Sequence, residues 1–129
     1  MIHVVDTHAL LWHIEGSKRL SEPARRVLSD TADALVIPTI VLAEARYAIA
    51  RQRTTVSWQD LLEEIERDSR FNVHDLNIDI VRRAPDELEM HDALICATAL
   101  ILHEASGERV GVITKDSRIR DSALVNTVW

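Results

Sequence analysis

The stretch IHVVDTH, residues 2–8, decides the fold class, because a short run typical of a buried strand ends there in an acidic residue. Residues 2–5 are predicted to form a strand covered on both faces, and Asp6 follows directly. Apolar residues then recur at helical spacing and predict a helix over residues 9–15. A carboxylate at this junction is either a helix cap or part of a metal site, and the positions of the other acidic residues distinguish these two explanations.

The rest of the chain repeats this alternation of short apolar strands and helices. Further strands are predicted over residues 34–38, 71–76, 110–114 and 125–129. Helices are predicted over residues 21–30, 40–51, 57–69 and 91–105, and Thr39 is expected to cap the second of them. Weak helical character is predicted around Val81, and a polar turn over residues 115–122. This order predicts an α/β fold with a mainly parallel central sheet of four or five strands, covered on both faces. The length of 129 residues predicts one domain, 1–129.

Composition narrows the class of protein. The only cysteine, Cys96, excludes an internal disulfide and a thiolate metal cluster, and it favours a reducing compartment, so we expect a cytoplasmic protein. No run of 18 apolar residues occurs, and no membrane span or signal peptide is expected. The net charge is −6, so an RNA substrate would have to be attracted by local basic clusters and bound metal.

Four acidic residues lie where the chemistry of a parallel α/β sheet is usually placed, at the carboxyl ends of its strands. Asp6 follows the first strand, and Asp116 follows the fourth with one residue between. Glu44 lies in the helix after the second strand, and Asp92 opens the long apolar helix. These four carboxylates, spread over the whole chain, could therefore meet at one edge.

Four carboxylates close together repel one another, and a divalent cation removes that conflict. Oxygen ligands select a hard ion, Mg²⁺ or Mn²⁺, over zinc. The six histidines also lack the spacing of a zinc site. Acid-only sites of this kind suit the hydrolysis of phosphodiester bonds.

Each acid also has an ordinary structural explanation. Asp6 and Asp92 could cap helices, and Asp116 could be a turn residue. Glu44 stands among apolar residues and could pair with a base such as Arg46. The prediction of a site therefore depends on the joint pattern.

Basic residues beside these acids are the candidates for contacts with an RNA backbone. Arg46 lies two residues after Glu44, and Lys115 and Arg118 flank Asp116. An ordinary charged surface is the alternative explanation for such residues.

Several stretches resemble, in the same order and over nearly the full length, one known family: PIN-domain ribonucleases, in particular the VapC-like toxins of bacterial toxin–antitoxin pairs. The matching stretches are VVDTHALLW (4–12), IPTIVLAEARY (37–47), MHDALICATAL (90–100), VITKDSRIRDS (112–122) and VNTVW (125–129). The resemblance implies a PIN-like three-layer α/β/α sandwich.

By this resemblance the chain is a metal-dependent endoribonuclease that forms a homodimer and is silenced by a VapB-like antitoxin. The residues matching the family's acidic quartet, which holds Mg²⁺ or Mn²⁺, are Asp6, Glu44, Asp92 and Asp116. Thr7 and Thr114 match supporting hydroxyl positions. Ala93 stands where many relatives carry arginine, which leaves the quartet intact but puts contacts with RNA or antitoxin in question.

Three other functions are considered. A PIN-fold nuclease could process RNA without an antitoxin, and a non-catalytic module could bind metal or RNA on the same fold. A phosphoacceptor signalling domain would need adjacent acids after the first strand, whereas Asp6 stands alone there.

Overall fold

Strands and helices alternate along the chain in the computed structural model, which describes residues 1–30 and 32–129. The strands are β1 (Ile2–Val5), β2 (Ala34–Pro38), β3 (Phe71–His74), β4 (Val110–Ile113) and β5 (Asn126–Val128). The helices are α1 (Thr7–Glu15), α2 (Glu22–Asp30), α3 (Thr39–Ala50), α4 (Trp58–Arg67), α5 (Ile78–Arg83), α6 (Met90–Ser106) and α7 (Ser117–Ser122). The predicted α/β class is confirmed.

The strands form one sheet in the order β3-β2-β1-β4-β5, and all four strand pairs are parallel. All four residues of β1 and all four of β4 are buried. Because successive side chains of a strand point to opposite faces, this burial means that both faces of the sheet are covered. The structure is the three-layer α/β/α sandwich that the sequence predicts.

The order of the strands creates a crevice at one edge of the sheet. From β1 the chain moves to β2 and β3 on one side, and it then returns to β4 and β5 on the other side of β1. The carboxyl ends of β1 and β4 therefore mark the point where the winding direction reverses, which is where α/β proteins commonly place their ligands.

The core is aliphatic, and α6 is its most deeply packed helix. Residues 93–99 of α6 are all buried, and they include Cys96, as expected for a small core residue. Burial, aided by nearby acidic residues, raises the pKa of the Cys96 thiol to about 12, so the thiol stays protonated. Within the described residues, no helix has the length and apolar character needed to cross a membrane.

Two local predictions are wrong. Residues 115–122 were expected to form a polar turn, yet α7 lies there, because the Asp116 side chain caps its first turn and Ile119 is fully buried beneath it. Thr39 was expected to cap α3, but it is the first helical residue, and its hydroxyl accepts a hydrogen bond from the Leu76 N–H at 3.0 Å instead.

Candidate active site

Asp6 and Thr114 are brought together by the register of the two central strands. Val5 of β1 pairs with Ile113 of β4, so the residues that follow each of them are neighbours at the carboxyl edge. The Asp6 N–H donates to the Ile113 carbonyl at 3.1 Å, and the Thr114 hydroxyl donates to Asp6 Oδ2 at 2.6 Å. Thr114 is fully buried, so its hydroxyl holds the Asp6 carboxylate in one orientation.

The same hydroxyl also positions the fourth acid. Thr114 Oγ1 accepts a hydrogen bond from the Asp116 N–H at 3.0 Å, and Asp116 Oδ1 in turn accepts the Arg118 N–H at 2.7 Å. Thr114 thus connects Asp6 to the start of α7, where Asp116 is the N-cap residue. The Asp116 carboxylate consequently serves as a helix cap and as a member of the acid cluster.

Glu44 reaches this edge from α3 and is held by a hydroxyl and a histidine. The Thr7 hydroxyl, at the start of α1, donates to Glu44 Oε1 at 3.1 Å. His91 Nδ1 lies 3.4 Å from Glu44 Oε2. The partner of Glu44 is therefore not Arg46, which was considered as its base. Both partners are sequence neighbours of other predicted site acids, since Thr7 follows Asp6 and His91 precedes Asp92. This adjacency was the available sequence signal for the pairing.

Asp92 lies in the first turn of α6 and is joined to Asp116 by a guanidinium group. Arg118 lies 3.9 Å from the Asp92 carboxylate, 3.3 Å from that of Asp116 and 3.3 Å from that of Glu89. Its positive charge is therefore shared among three acids. Sequence reasoning placed Arg118 beside Asp116 but missed this bridge, because the bridge depends on where α6 begins.

Burial and mutual repulsion shift the pKa values of these carboxyls. Burial raises the pKa of Asp6, against the hydrogen bonds from Thr114 and Thr7, which lower it. Burial also raises the pKa of Glu44 and of Asp92, and the charge of Asp116 adds to the rise at Asp92. These three carboxyls therefore give up their protons less readily than exposed ones.

Asp116 differs from the other three acids. Burial works to raise its pKa, but the side-chain and backbone hydrogen bonds from Arg118 outweigh burial, and the pKa is lowered. The charges of Asp6, Glu44 and Asp92 also act on one another, and Asp116 acts on both aspartates. The four predicted acids thus share one electrostatic environment at one edge of the sheet.

The chemistry of these groups fits a hard divalent cation. Carboxylate and hydroxyl oxygens are the ligands that Mg²⁺ and Mn²⁺ prefer. Three of the carboxyls have pKa values raised by burial and, to a smaller extent, by the charges of their acidic neighbours. No three acidic, histidine or cysteine side chains in the described part of the chain are arranged to hold one ion by themselves. Mg²⁺ usually keeps several waters and takes only one or two carboxylates directly, and this site suits that mode of binding.

The three predicted RNA-contacting residues fall in different places. Arg118 lies within the acid cluster, as described above. The Lys115 ammonium lies 5.4 Å from the centroid of the Trp12 ring, next to the cluster. The Arg46 guanidinium lies 5.5 Å from the Trp58 ring, and Arg46 is on a different side of α3 from Glu44 because residues two apart do not share a helical face.

Comparison with known proteins agrees with this fold. The PIN domain family model matches residues 3–124. A chain in the crystal structure of VapBC2 from Rickettsia felis, bound to a DNA fragment from their promoter, is similar with a TM-score of 0.66 and 15% identity, over 98% of this chain and 97% of that one. A chain of VapBC-1 from nontypeable Haemophilus influenzae is similar with a TM-score of 0.60 and 22% identity, over 98% and 96%.

No curated protein sequence matches the chain. The two structures are less than 25% identical to it, so they show a shared fold. The family model covers nearly all of the residues, including every member of the acid cluster, and PIN domains are generally nucleases. The chain therefore belongs to the PIN domain family.

Proposed function

We propose that this protein is a Mg²⁺- or Mn²⁺-dependent endoribonuclease and the toxin of a toxin–antitoxin pair. The observation that carries the proposal is the convergence of Asp6, Glu44, Asp92 and Asp116 at the crevice between β1 and β4. Membership of the PIN family supports hydrolysis of phosphodiester bonds. The metal and the RNA substrate are part of the proposal.

The acids of the cluster would have two roles in the proposed hydrolysis, holding the cation and accepting a proton. When bound, Mg²⁺ or Mn²⁺ would supply Lewis acidity toward the phosphodiester and would make water a better nucleophile at neutral pH. Asp6, fixed by Thr114, and the other acids of the cluster would hold the cation. Glu44 and Asp92 are the candidates for accepting the proton of the attacking water, because their pKa values are raised toward neutrality. In-line attack would leave a 5′-phosphate and a 3′-hydroxyl.

The partners follow from the same proposal. Both similar structures are of VapBC proteins, which supports a VapB-like antitoxin as the partner of this chain. A homodimer and a cytoplasmic location are proposed with it.

The test is cleavage of a single-stranded RNA by the purified protein in Mg²⁺, beside a DNA strand of the same base sequence. We expect cuts in the RNA whose products carry 5′-phosphates, detected by ligation to an adaptor that requires that end. Absence of RNA cleavage in both Mg²⁺ and Mn²⁺ would contradict the proposal, and equal cleavage of DNA would contradict the assignment of RNA as substrate.

Replacing Thr114 by valine should lower activity about 10- to 100-fold, because the residue that orients a proposed metal ligand would lose its hydroxyl. The substitution should also destabilise the fold by about 1–3 kcal/mol, since the buried Asp6 carboxylate and the Asp116 N–H lose a partner. The measurements are kcat/KM on RNA and the free energy of unfolding in urea.

Thr98→Val is the matched control for this change. Thr98 is also buried, but its hydroxyl donates to the Leu94 carbonyl at 2.8 Å within α6. We expect nearly full activity from this variant. Equal losses of activity in the two variants would show that Thr114 acts only through general stability.

A further inference from the structure

Two of the three basic residues predicted to contact RNA are held by other groups. Arg118 is neutralised by Glu89, Asp92 and Asp116. Arg46 lies over Trp58 on another side of α3. Because the protein is acidic overall, an RNA backbone needs a different source of positive charge beside the acids.

Two cations lie at one aromatic ring, and one of them, Lys115, directly precedes Asp116 in the sequence. The Lys115 ammonium lies 5.4 Å and the Arg19 guanidinium carbon 5.9 Å from the centroid of the Trp12 ring. Both side chains are exposed, and among the described residues neither lies in an ion pair with a carboxylate. Attraction to the ring positions the two charges without neutralising them.

The ring that holds these cations is itself fixed. Trp12 is only 9% exposed, and its centroid lies 5.8 Å from that of Trp129 and 5.3 Å from that of His8. A buried ring is not open to stacking by a nucleotide base. It can act as a support for the two cations instead.

The backbone on both sides also holds the pair in place. Gly16 ends α1 in the left-handed conformation, at φ 65°. The Ser17 N–H then donates to the Trp12 carbonyl at 2.9 Å, so the chain folds back toward Trp12 and Arg19 lies over its ring. Lys115 stands between Thr114 and Asp116, which are joined by a hydrogen bond. The backbone thus brings both cations to the Trp12 ring, and Lys115 connects that ring to the acids through its neighbours Thr114 and Asp116.

We propose that Arg19 and Lys115, supported by Trp12, form a subsite for a backbone phosphate of single-stranded RNA next to the scissile phosphate. An ammonium and a guanidinium together offer several donors to phosphate oxygens, and contacts of this kind position the strand without reading its sequence. The subsite rests on the proposed ribonuclease function. It implies that the RNA strand passes the acid cluster on the side where Trp12 of α1 lies.

The test measures the dissociation constant of a fluorescein-labelled single-stranded RNA by anisotropy, in chelator, over a series of salt concentrations. Removal of one cation that binds phosphate should reduce the slope of log K against log salt by about 0.7, and binding at 0.1 M salt should weaken about fivefold. The Arg19→Gln/Lys115→Gln double variant should therefore show a slope smaller by about 1.4.

Arg51→Gln is the matched control, because the Arg51 guanidinium also lies over an aromatic ring, that of Tyr47, at the far end of α3 from the site. Its slope should equal that of the wild type. An unchanged slope in the double variant, or an equal reduction in the control, would overturn the subsite.

Cleavage in Mg²⁺ is scored on the same preparations, so that failure of the subsite and failure of the proposed function can be told apart. If the wild type cleaves RNA and the double variant has the wild-type slope of log K against log salt, only the subsite is refuted. Wild-type protein that cleaves RNA but does not bind it in chelator also refutes the subsite, because the two cations should attract phosphate without metal. Wild-type protein that neither binds nor cleaves RNA refutes both proposals.

Discussion

Asp6→Asn is expected to lower kcat/KM on RNA by about three orders of magnitude while leaving the fold intact. Asp6 is hydrogen-bonded to the Thr114 hydroxyl, directly after β4, and to the Thr7 N–H at the start of α1. Loss of its charge should remove several kcal/mol of transition-state stabilisation by a bound cation. The metal-free variant should be at least as stable as the wild type, because a buried carboxylate with a raised pKa is costly to ionise.

Asp121→Asn is the control for this variant. Asp121 lies on α7, five residues after Asp116, and its side chain is exposed. We expect nearly wild-type kcat/KM from it. Activity that survives Asp6→Asn, or falls equally in Asp121→Asn, would contradict the assignment of Asp6.

Three acids of the cluster should destabilise the metal-free protein as pH rises, and a divalent cation should offset that loss. Asp6, Glu44 and Asp92 have pKa values above their ordinary values of 3.8, 4.5 and 3.8. Between those values and the raised ones the folded state binds more protons than the unfolded state, so stability falls as pH increases. This contribution is fully present below the ordinary values and is lost as pH passes through the raised ones.

Asp116 acts in the opposite direction. Its pKa is lowered, so it contributes stability above its ordinary value of 3.8 and loses that contribution as pH falls. Comparing the wild type with Asp6→Asn isolates the effect of Asp6, and the variant should show the flatter decline toward neutral pH.

Mn²⁺ at 100 times its dissociation constant should add about 2.7 kcal/mol, which corresponds to a rise in Tm of about 10 °C for a chain of this length. Thermal unfolding at a series of pH values, in chelator and in Mn²⁺, measures both effects. If the pH dependence of stability is the same in the wild type and Asp6→Asn, and the cation adds no stability, both the raised pKa of Asp6 and cation binding at these acids are contradicted.

The architecture could be predicted from sequence because its signals are local and repeated. Strands buried on both faces and separated by amphipathic helices require a parallel sheet, and such a sheet places Asp6 and Thr114 at the same edge. The register of β1 against β4 then makes them hydrogen-bond partners, which was beyond prediction from spacing alone.

The features that were missed depend on tertiary contacts. Helix α7 has six residues, too few for a periodic pattern, and burial of Ile119 stabilises it. The partners of Glu44 come from the starts of α1 and α6, which are distant in sequence. Arg19 and Lys115 both lie at the Trp12 ring although they are almost 100 positions apart, so no local sequence motif could predict this pair.

Paramagnetic broadening by Mn²⁺ in a two-dimensional amide NMR spectrum tests most directly whether the four acids share one cation. At substoichiometric Mn²⁺, the amide signals beside Asp6, Glu44, Asp92 and Asp116 should broaden together, and Asp6→Asn should abolish the effect. Broadening at only one of the four, or broadening spread over exposed surface acids such as Glu22 and Asp79, would contradict a shared metal site.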